Sequence, residues 1–123
     1  MQNTVVIAVV DDDKAIRSAL ESLLRASGYR VQTYCAARAF LDSTDLDQVD
    51  CLISDIQMPG MSGLELHEAL RTRGLRIPMI FVTAHPDDVN TRVPGVEACL
   101  PKPFQADDLL KHIDIALNRT KSV

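Results

Sequence analysis

The sequence predicts an α/β fold, in which a doubly wound sheet of five parallel strands carries helices on both faces. Short apolar runs alternate along the chain with longer amphipathic stretches, as expected for strands and helices that follow one another in series. The first run, Thr4–Val10, is rich in β-branched residues and typical of a buried parallel strand. With 123 residues, 46% of them apolar, we expect a single domain over residues 1–123.

Further runs of the same kind predict the other strands. Each is short, and each is separated from its neighbours by turn residues or by an amphipathic stretch. The segments predicted as strands are Thr4–Val10, Arg30–Tyr34, Cys51–Asp55, Pro78–Thr83 and Glu97–Leu100.

Two of the stretches between the strands carry clear helix signals. Lys14–Ser27 has leucines at helical spacing, and Gly28 follows it where a glycine is expected after a helix C-terminus. Ser62 and Glu65 have the spacing of a capping box, which predicts a helix that begins there and ends at Gly74. The other predicted helices are the short Ala36–Leu41, the weakly apolar Pro86–Val93 and the final Ala106–Asn118.

The order of the strands decides which loops meet. Right-handed connections leave few topologies, and we expect the common flavodoxin-like (βα)5 order 2-1-3-4-5. Its switch point lies between strands 1 and 3, where ligands bind at the carboxyl ends of the strands. Asp11 and Asp12 end the first predicted strand and Asp55 ends the third, so this order brings the carboxylates together. Residues 118–123 are predicted to form a tail or the start of a linker.

These carboxylates form a candidate metal site. Clustered carboxylates repel one another and need a cation or a shared proton. Oxygen ligands suit a hard metal such as Mg²⁺, with Mn²⁺ as an alternative. Asp12 and Asp55 are the predicted direct ligands, the backbone carbonyl of Gln57 is a third, and Asp11 helps through water. The neighbouring Asp13 is predicted to cap the first helix.

Asp55 is also a candidate nucleophile. A lone Asp before a Met-Pro-Gly turn is often only a turn former, but beside an acidic pair its carboxylate can attack phosphorus and form an aspartyl phosphate. Thr83 closes the fourth strand, and its hydroxyl could donate to a phosphoryl oxygen. Lys102 stands between two prolines, so Lys102–Pro103 is a candidate cis peptide that would direct the ammonium inward. Taken alone, Thr83 is a common type of residue at a strand end, and Lys102 is a solvated surface lysine.

The histidines and cysteines are dispersed. His67 and His112 are predicted on solvated helix faces, whereas His85 lies two residues after Thr83 and could overhang the site. The cysteines are odd in number and show no metal-type pairing, which favours small core residues in a reducing cytoplasm. They are Cys35, Cys51 and Cys99.

Composition excludes several classes of function. The net charge is −4 and no basic footprint is present, so we expect no direct binding of nucleic acid. No apolar run approaches the roughly 20 residues that span a bilayer, so we expect no membrane segment. The N-terminus lacks a basic region followed by a long apolar stretch, which predicts no signal peptide. We therefore expect a cytoplasmic protein.

The motifs in combination resemble the receiver domain of bacterial two-component response regulators. The resemblance extends from Val5 to about Leu117, and it is specific in the combination and order of the motifs. Cys51–Thr83 is most similar to the subfamily of the nitrogen-fixation regulator, in which a receiver precedes a helix-turn-helix DNA-binding domain. The motifs are Asp11-Asp12, Asp55 in Asp-Ile-Gln-Met-Pro-Gly-Met-Ser-Gly, Thr83-Ala84 and Lys102-Pro103-Phe104.

The resemblance implies a signalling switch rather than an enzyme, with no catalysis beyond its own phosphotransfer and dephosphorylation. Asp55 would accept a phosphoryl group from the histidine of a sensor kinase, and Lys102 would pair with the phosphoryl oxygens. Thr83 would move toward the phosphoryl group and begin the conformational change. The positions expected to modulate the phosphoryl lifetime are Gln57, Ala84 and His85.

The chain departs from the family at two places. Cys99 stands three positions before Lys102, where family members usually carry an aromatic residue, so rotation of a ring cannot couple to the movement of the threonine. The span from Thr83 to Lys102 is shorter than in typical members and contains Pro86 and Pro94, which predicts a short or irregular helix there. Both departures fall on the surface that often mediates dimerisation and output in this family.

Several alternatives remain open at this point. The chain is either a stand-alone regulator that docks to an effector or the N-terminal half of a DNA-binding transcription regulator, and either a monomer or a phosphorylation-dependent dimer. A small Mg²⁺-dependent phosphatase of the haloacid-dehalogenase type would share the Asp11-x-Asp13 motif, but Lys14-Ala15 departs from its pattern and no cap has room. A non-phosphorylated receiver-like binding module is the third alternative, against which the intact set of acids, threonine and lysine argues.

Overall fold

The computed structural model describes residues 5–44, 46–84 and 95–121. Within these ranges the described strands and helices follow one another in the predicted order, and a short 3-10 helix spans Leu46–Gln48. None of the helices in these ranges is long and apolar enough to cross a membrane. The strands are β1 Val6–Val10, β2 Arg30–Tyr34, β3 Cys51–Ser54, β4 Met79–Thr83 and β5 Val96–Pro101, and the helices are α1 Lys14–Ala26, α2 Ala37–Leu41, α3 Gly63–Thr72 and α4 Ala106–Lys121.

All the strands pair in parallel in a single sheet of order β2-β1-β3-β4-β5, which confirms the predicted topology. Val10 at the end of β1 is level with Tyr34 on β2 and with Ser54 on β3. The strands on both sides of the switch point therefore stop at the same height, and the residues that follow Val10 and Ser54 emerge next to each other.

Helices cover both faces of the sheet, and each face has its own apolar cluster. On one face, α2 and α3 pack through residues such as Phe40 and Leu66, both 0% exposed. On the other face, α1 and α4 pack through residues such as Leu24 and Ile113, also 0% exposed. Successive residues of β1 alternate between the two clusters, so this strand is buried throughout. Because helices pack on both faces, the sheet is a rigid support for the residues at its carboxyl edge.

Side-chain caps fix the first turns of α1 and α3 beside that edge. The carboxylate of Asp13 accepts hydrogen bonds from the amides of Ala15 at 2.9 Å and Ile16 at 3.2 Å. Ser62 and Glu65 form the predicted capping box, with distances of 3.1 Å and 2.9 Å. Such caps stabilise a helix by about 1 kcal/mol each, and here they also define where the loops after β1 and β3 end.

Element boundaries differ from the predictions by a few residues. The last helix, α4, continues to Lys121 instead of ending at Asn118, so the expected tail at 118–123 begins as helix. Polar helix ends of this kind carry no stop signal, since neither glycine nor proline follows Asn118. The predicted helix Pro86–Val93 and the candidate residue His85 lie outside the described residues.

Three predictions about histidines and cysteines need correction. His67 was expected in solvent but is 9% exposed, because its ring faces Gly95 at the entrance to β5. His112 is half-buried, with Nδ1 3.9 Å from the Glu97 carboxylate on β5. Cys35 was expected in the core but is exposed, whereas Cys51 is buried, and burial raises the pKa of its thiol to about 12.

Gly63, the first residue of α3, lies directly against the end of β3. Its amide donates to the carbonyl of Ile56 at 2.8 Å. A methyl group at this position would collide with the carbonyl oxygen of Asp55 and would lie 3.0 Å from the ring of Phe81. Only a glycine lets the start of α3 approach the backbone of Asp55 this closely.

We expect Gly63→Ala to lower the free energy of unfolding by about 1–3 kcal/mol, as overpacking of a buried contact does. Helix propensity alone would give the opposite result, since it favours alanine over glycine by up to about 1 kcal/mol. A loss of stability would therefore report the steric clash. Urea denaturation measures it, and Leu64→Ala, at an exposed position of the same helical turn, is the control with little expected change. A Gly63→Ala protein as stable as the wild type would contradict the close approach.

Candidate functional site

The predicted site residues meet at the carboxyl edge of the sheet. Asp11 follows β1, Asp55 follows β3, Thr83 ends β4 and Lys102 follows β5. Asp11, Asp55 and Thr83 are 1%, 7% and 1% exposed, whereas Asp12 is exposed to solvent. The edge therefore combines buried polar side chains with one accessible carboxylate.

Lys102 connects the two buried carboxylates. Its ammonium nitrogen lies 3.2 Å from Asp11 Oδ2 and 3.1 Å from Asp55 Oδ2. The Lys102–Pro103 peptide is cis, as predicted. The backbone amide of Lys102 donates to the Thr83 carbonyl at 2.9 Å, which ties the end of β5 to the end of β4. One side chain thus spans the loops that follow β1, β3 and β5.

Asp55 presents its two carboxylate oxygens to different partners. Oδ1 accepts hydrogen bonds from the backbone amides of Ile56 at 2.7 Å and Gln57 at 3.3 Å. Oδ2 contacts the ammonium of Lys102. The hydroxyl of Ser54 donates to the Asp55 carbonyl at 2.7 Å, which fixes the backbone at this point. The carboxylate is therefore oriented by the backbone amides of its own loop on one side and by the Lys102 ammonium on the other.

Each polar atom of Asp11 has a partner. Its amide donates to the Tyr34 carbonyl at 3.1 Å, and its Oδ1 accepts from the Asp13 amide at 2.9 Å. Its Oδ2 contacts Lys102, and its carbonyl oxygen accepts from the guanidinium of Arg17 at 2.7 Å. These contacts fix the buried Asp11 in one orientation.

The environment raises two pKa values at this edge. Burial raises the pKa of Asp11, and the negative charge of Asp55 adds to the effect, while the Asp13 amide and Lys102 only partly offset it. Burial alone would lower the pKa of Lys102, but its hydrogen bond to Asp55 and the charges of both carboxylates outweigh burial and raise it. Asp11 is therefore harder to ionise in the folded protein, and the neighbouring carboxylates hold Lys102 more firmly in its charged form.

The acidic residues fit a divalent cation. Asp11, Asp12 and Asp55 can each offer one carboxylate oxygen, and these oxygens lie within 4.8 Å of one another. All the donors are oxygens, which is the ligand set that Mg²⁺ and Mn²⁺ prefer. Two of the residues are buried and one is exposed, so the group is open to solvent from one side.

The remaining predicted site residues lie around this cluster. Gln57 and Ala84 are exposed, and the amide of Gln57 contacts Asp55. Cys99 is level with Phe81 in the β4–β5 register, and it is partly buried against the apolar cluster under α2 and α3. His85 lies outside the described residues. The edge thus gathers the predicted acids, threonine and lysine, with Cys99 farther down β5.

Neither Arg17 nor Ser54 was predicted to belong to the site. Arg17 lies on α1, six positions after Asp11, and its side chain turns back to the loop that precedes the helix. Ser54 is 1% exposed at the end of β3 and holds the backbone of the next residue. An arginine early in a helix and a serine at a strand end have many common functions, so neither pattern identified them.

The chain is similar to known proteins of one family. The family model of the response regulator receiver domain matches residues 7–114. The response regulator protein TmoT of Ectopseudomonas mendocina is 41% identical over 116 residues, which cover 91% of this chain and 52% of that protein. The chain thus spans about half the length of the curated relatives that it matches.

Solved structures agree with the sequence comparison. The response regulator StyR is 41% identical with a TM-score of 0.87, over 94% of this chain and 60% of that one. FixJ-N, of the subfamily that the sequence resembles, is 28% identical with a TM-score of 0.80, and the match covers 96% of both chains. The fold and the acidic edge agree with the family match, which covers most of the chain. The chain therefore belongs to the response regulator receiver domains.

Proposed function

We propose that this chain is the phospho-accepting receiver of a two-component phosphorelay and that Asp55 takes the phosphoryl group. The observation that carries this proposal is the ammonium of Lys102 between the carboxylates of Asp11 and Asp55, at 3.2 Å and 3.1 Å. A cation held beside a buried nucleophile is in position to bind the oxygens of an incoming phosphoryl group. Membership of the receiver family supports the same reaction.

In the proposed transfer, a carboxylate oxygen of Asp55 forms a bond to phosphorus while the bond from phosphorus to the donor histidine breaks. The electron pair of that bond returns to the imidazole of the donor. We assign the attack to Oδ2, because Oδ1 already accepts two backbone hydrogen bonds. Lys102 would then exchange its contact with Oδ2 for contacts with the phosphoryl oxygens.

The acidic cluster supports Mg²⁺ as the cofactor, with Mn²⁺ as an alternative. We propose Asp12 and Asp55 as direct ligands, the carbonyl of Gln57 as a third and Asp11 as a ligand through water. When bound, the metal would neutralise the charge that develops on the phosphoryl oxygens. The oxygens of Asp11, Asp12 and Asp55, within 4.8 Å of one another, support this assignment.

We propose that Thr83 responds to the phosphoryl group and starts the conformational change. Its carbonyl accepts the Lys102 amide at 2.9 Å, so a displacement at either residue is transmitted to the other strand. Cys99 offers no ring that could rotate, so the change would pass through the β4 and β5 backbones. Gln57, Ala84 and His85 remain the proposed modulators of the phosphoryl lifetime.

The proposed partners are a sensor histidine kinase and an output element, in the cytoplasm. Relatives of about twice the matched length support a receiver that is attached to a second domain, for which a DNA-binding domain is our proposal, over a stand-alone regulator with a separate effector. Residues 1–123 would form one receiver domain. We propose a monomer that can dimerise when phosphorylated.

We expect Asp55→Asn to abolish phosphorylation while the fold is kept, because asparagine has nearly the same shape but is not a carboxylate nucleophile. Intact mass after incubation with Mg²⁺ and acetyl phosphate should show one added phosphoryl group on the wild type and none on the variant. Asp47→Asn, at an exposed acid in the 3-10 helix before β3, is the matched control and should react normally. Equal phosphorylation of Asp55→Asn would show that another residue is the acceptor.

We expect Asp12→Asn to weaken Mg²⁺ binding by about tenfold or more, since removal of a charged ligand reduces the attraction for a hard cation. Isothermal titration calorimetry with MgCl₂ measures the dissociation constant. Asp13→Asn is the matched control, because asparagine can still cap α1 and the same charge is removed one residue away. If the two variants bind Mg²⁺ equally well, Asp12 is not a ligand.

A further inference from the structure

The Asp12 carboxylate lacks the contacts that hold the carboxylates of Asp11 and Asp55. Among the described residues, no hydrogen bond or ion pair fixes the Asp12 carboxylate, and the side chain is exposed. Asp11, in contrast, is bound at its amide, its carbonyl and both carboxylate oxygens. An exposed side chain without partners can be directed into a site only by the backbone that carries it.

Arg17 holds that backbone. Its Nη1 donates to the carbonyl oxygen of Asp11 at 2.7 Å, the shorter end of the range for such a bond. This carbonyl belongs to the peptide unit that joins Asp11 to Asp12. Because a peptide unit is planar, fixing its oxygen also fixes the direction in which Asp12 leaves the strand.

The base of the Arg17 side chain is itself anchored. Arg17 lies in the first turns of α1, and its amide donates to the Asp13 carbonyl at 3.0 Å. The carboxylate of Asp13 caps the same helix. The side chain is half-buried, and the guanidinium is a rigid, planar donor, so the contact with Asp11 closes a short loop over residues 11–17.

We infer that Arg17 is a positioning residue of the metal site: it holds the Asp11–Asp12 peptide so that the Asp12 carboxylate meets the cation beside Asp55. This inference rests on the proposed function, because it assumes that Asp12 is a ligand. Residues that orient metal ligands typically change the metal affinity by about 10–100-fold when they are removed.

A purely electrostatic role of Arg17 would have the opposite sign. A guanidinium near the cluster repels an incoming Mg²⁺, so removal of its charge alone would make Mg²⁺ binding tighter. Removal of a positioning residue makes it weaker. The direction of the change therefore separates the two roles.

The experiment is a titration of MgCl₂ into the folded apoprotein by calorimetry, for the wild type, Arg17→Ala, Arg17→Lys and Arg25→Ala. Arg25 is the matched control, because it lies on the same helix but pairs with Glu21 on the surface at 2.8 Å. We expect Arg17→Ala to raise the dissociation constant of Mg²⁺ by about tenfold. Arg17→Lys, which keeps the charge and a donor, should fall between Arg17→Ala and the wild type, and Arg25→Ala should match the wild type.

Other results would overturn the inference in distinguishable ways. Unchanged or tighter Mg²⁺ binding by Arg17→Ala, with normal binding by the wild type, would exclude the positioning role and leave the proposed function intact. A wild type that binds no Mg²⁺ would overturn the metal site and this inference together. Circular dichroism shows whether each variant is folded. If Arg17→Ala does not fold, Arg17→Lys alone decides the question. A Mg²⁺ affinity of Arg17→Lys equal to that of the wild type would then contradict the role of the guanidinium.

Discussion

The contact of the Lys102 ammonium with two buried carboxylates is the interaction on which the site depends. It joins the loops after β1, β3 and β5, and the Lys102 amide adds the end of β4 through Thr83. Without this cation, the carboxylates of Asp11 and Asp55 would face each other at the edge of an apolar sheet with no ammonium between them. The parallel topology makes the contact possible, because the strands on both sides of the switch point end at the same level.

The buried charge of Asp11 costs stability at neutral pH. Because burial raises the pKa of Asp11 in the folded protein above its unfolded value, ionised Asp11 opposes folding, and the cost disappears as the pH falls through the raised pKa. Lys102 acts in the other direction, since its raised pKa stabilises the fold until the pH rises through that value. Three clustered carboxylates beside one lysine are what a divalent cation would compensate in the proposed function, so the cost and the proposed metal site have one origin.

The sequence predicts the layers and the acidic edge because both follow from local patterns. Alternating runs, the Asp13 cap and the capping box at Ser62 each report on a few neighbouring residues, and topology rules do the rest. The burial of His67 against Gly95 and the exposure of Cys35 depend on packing between distant segments, which periodicity does not encode. The contact of Arg17 with the Asp11 carbonyl could not be predicted either, because it is set by a side-chain direction and a loop conformation.

The most direct test of this account is the free energy of unfolding of Asp11→Asn and of the wild type, measured in urea at neutral pH without divalent cations. Asparagine keeps the oxygen that accepts the Asp13 amide and removes the buried charge, while Lys102 retains Asp55 as its partner. We expect Asp11→Asn to be more stable than the wild type. A less stable variant would contradict this expectation. The contact between Lys102 and Asp11 would then be an ion pair that stabilises the fold, and burial of the Asp11 charge would carry no net cost.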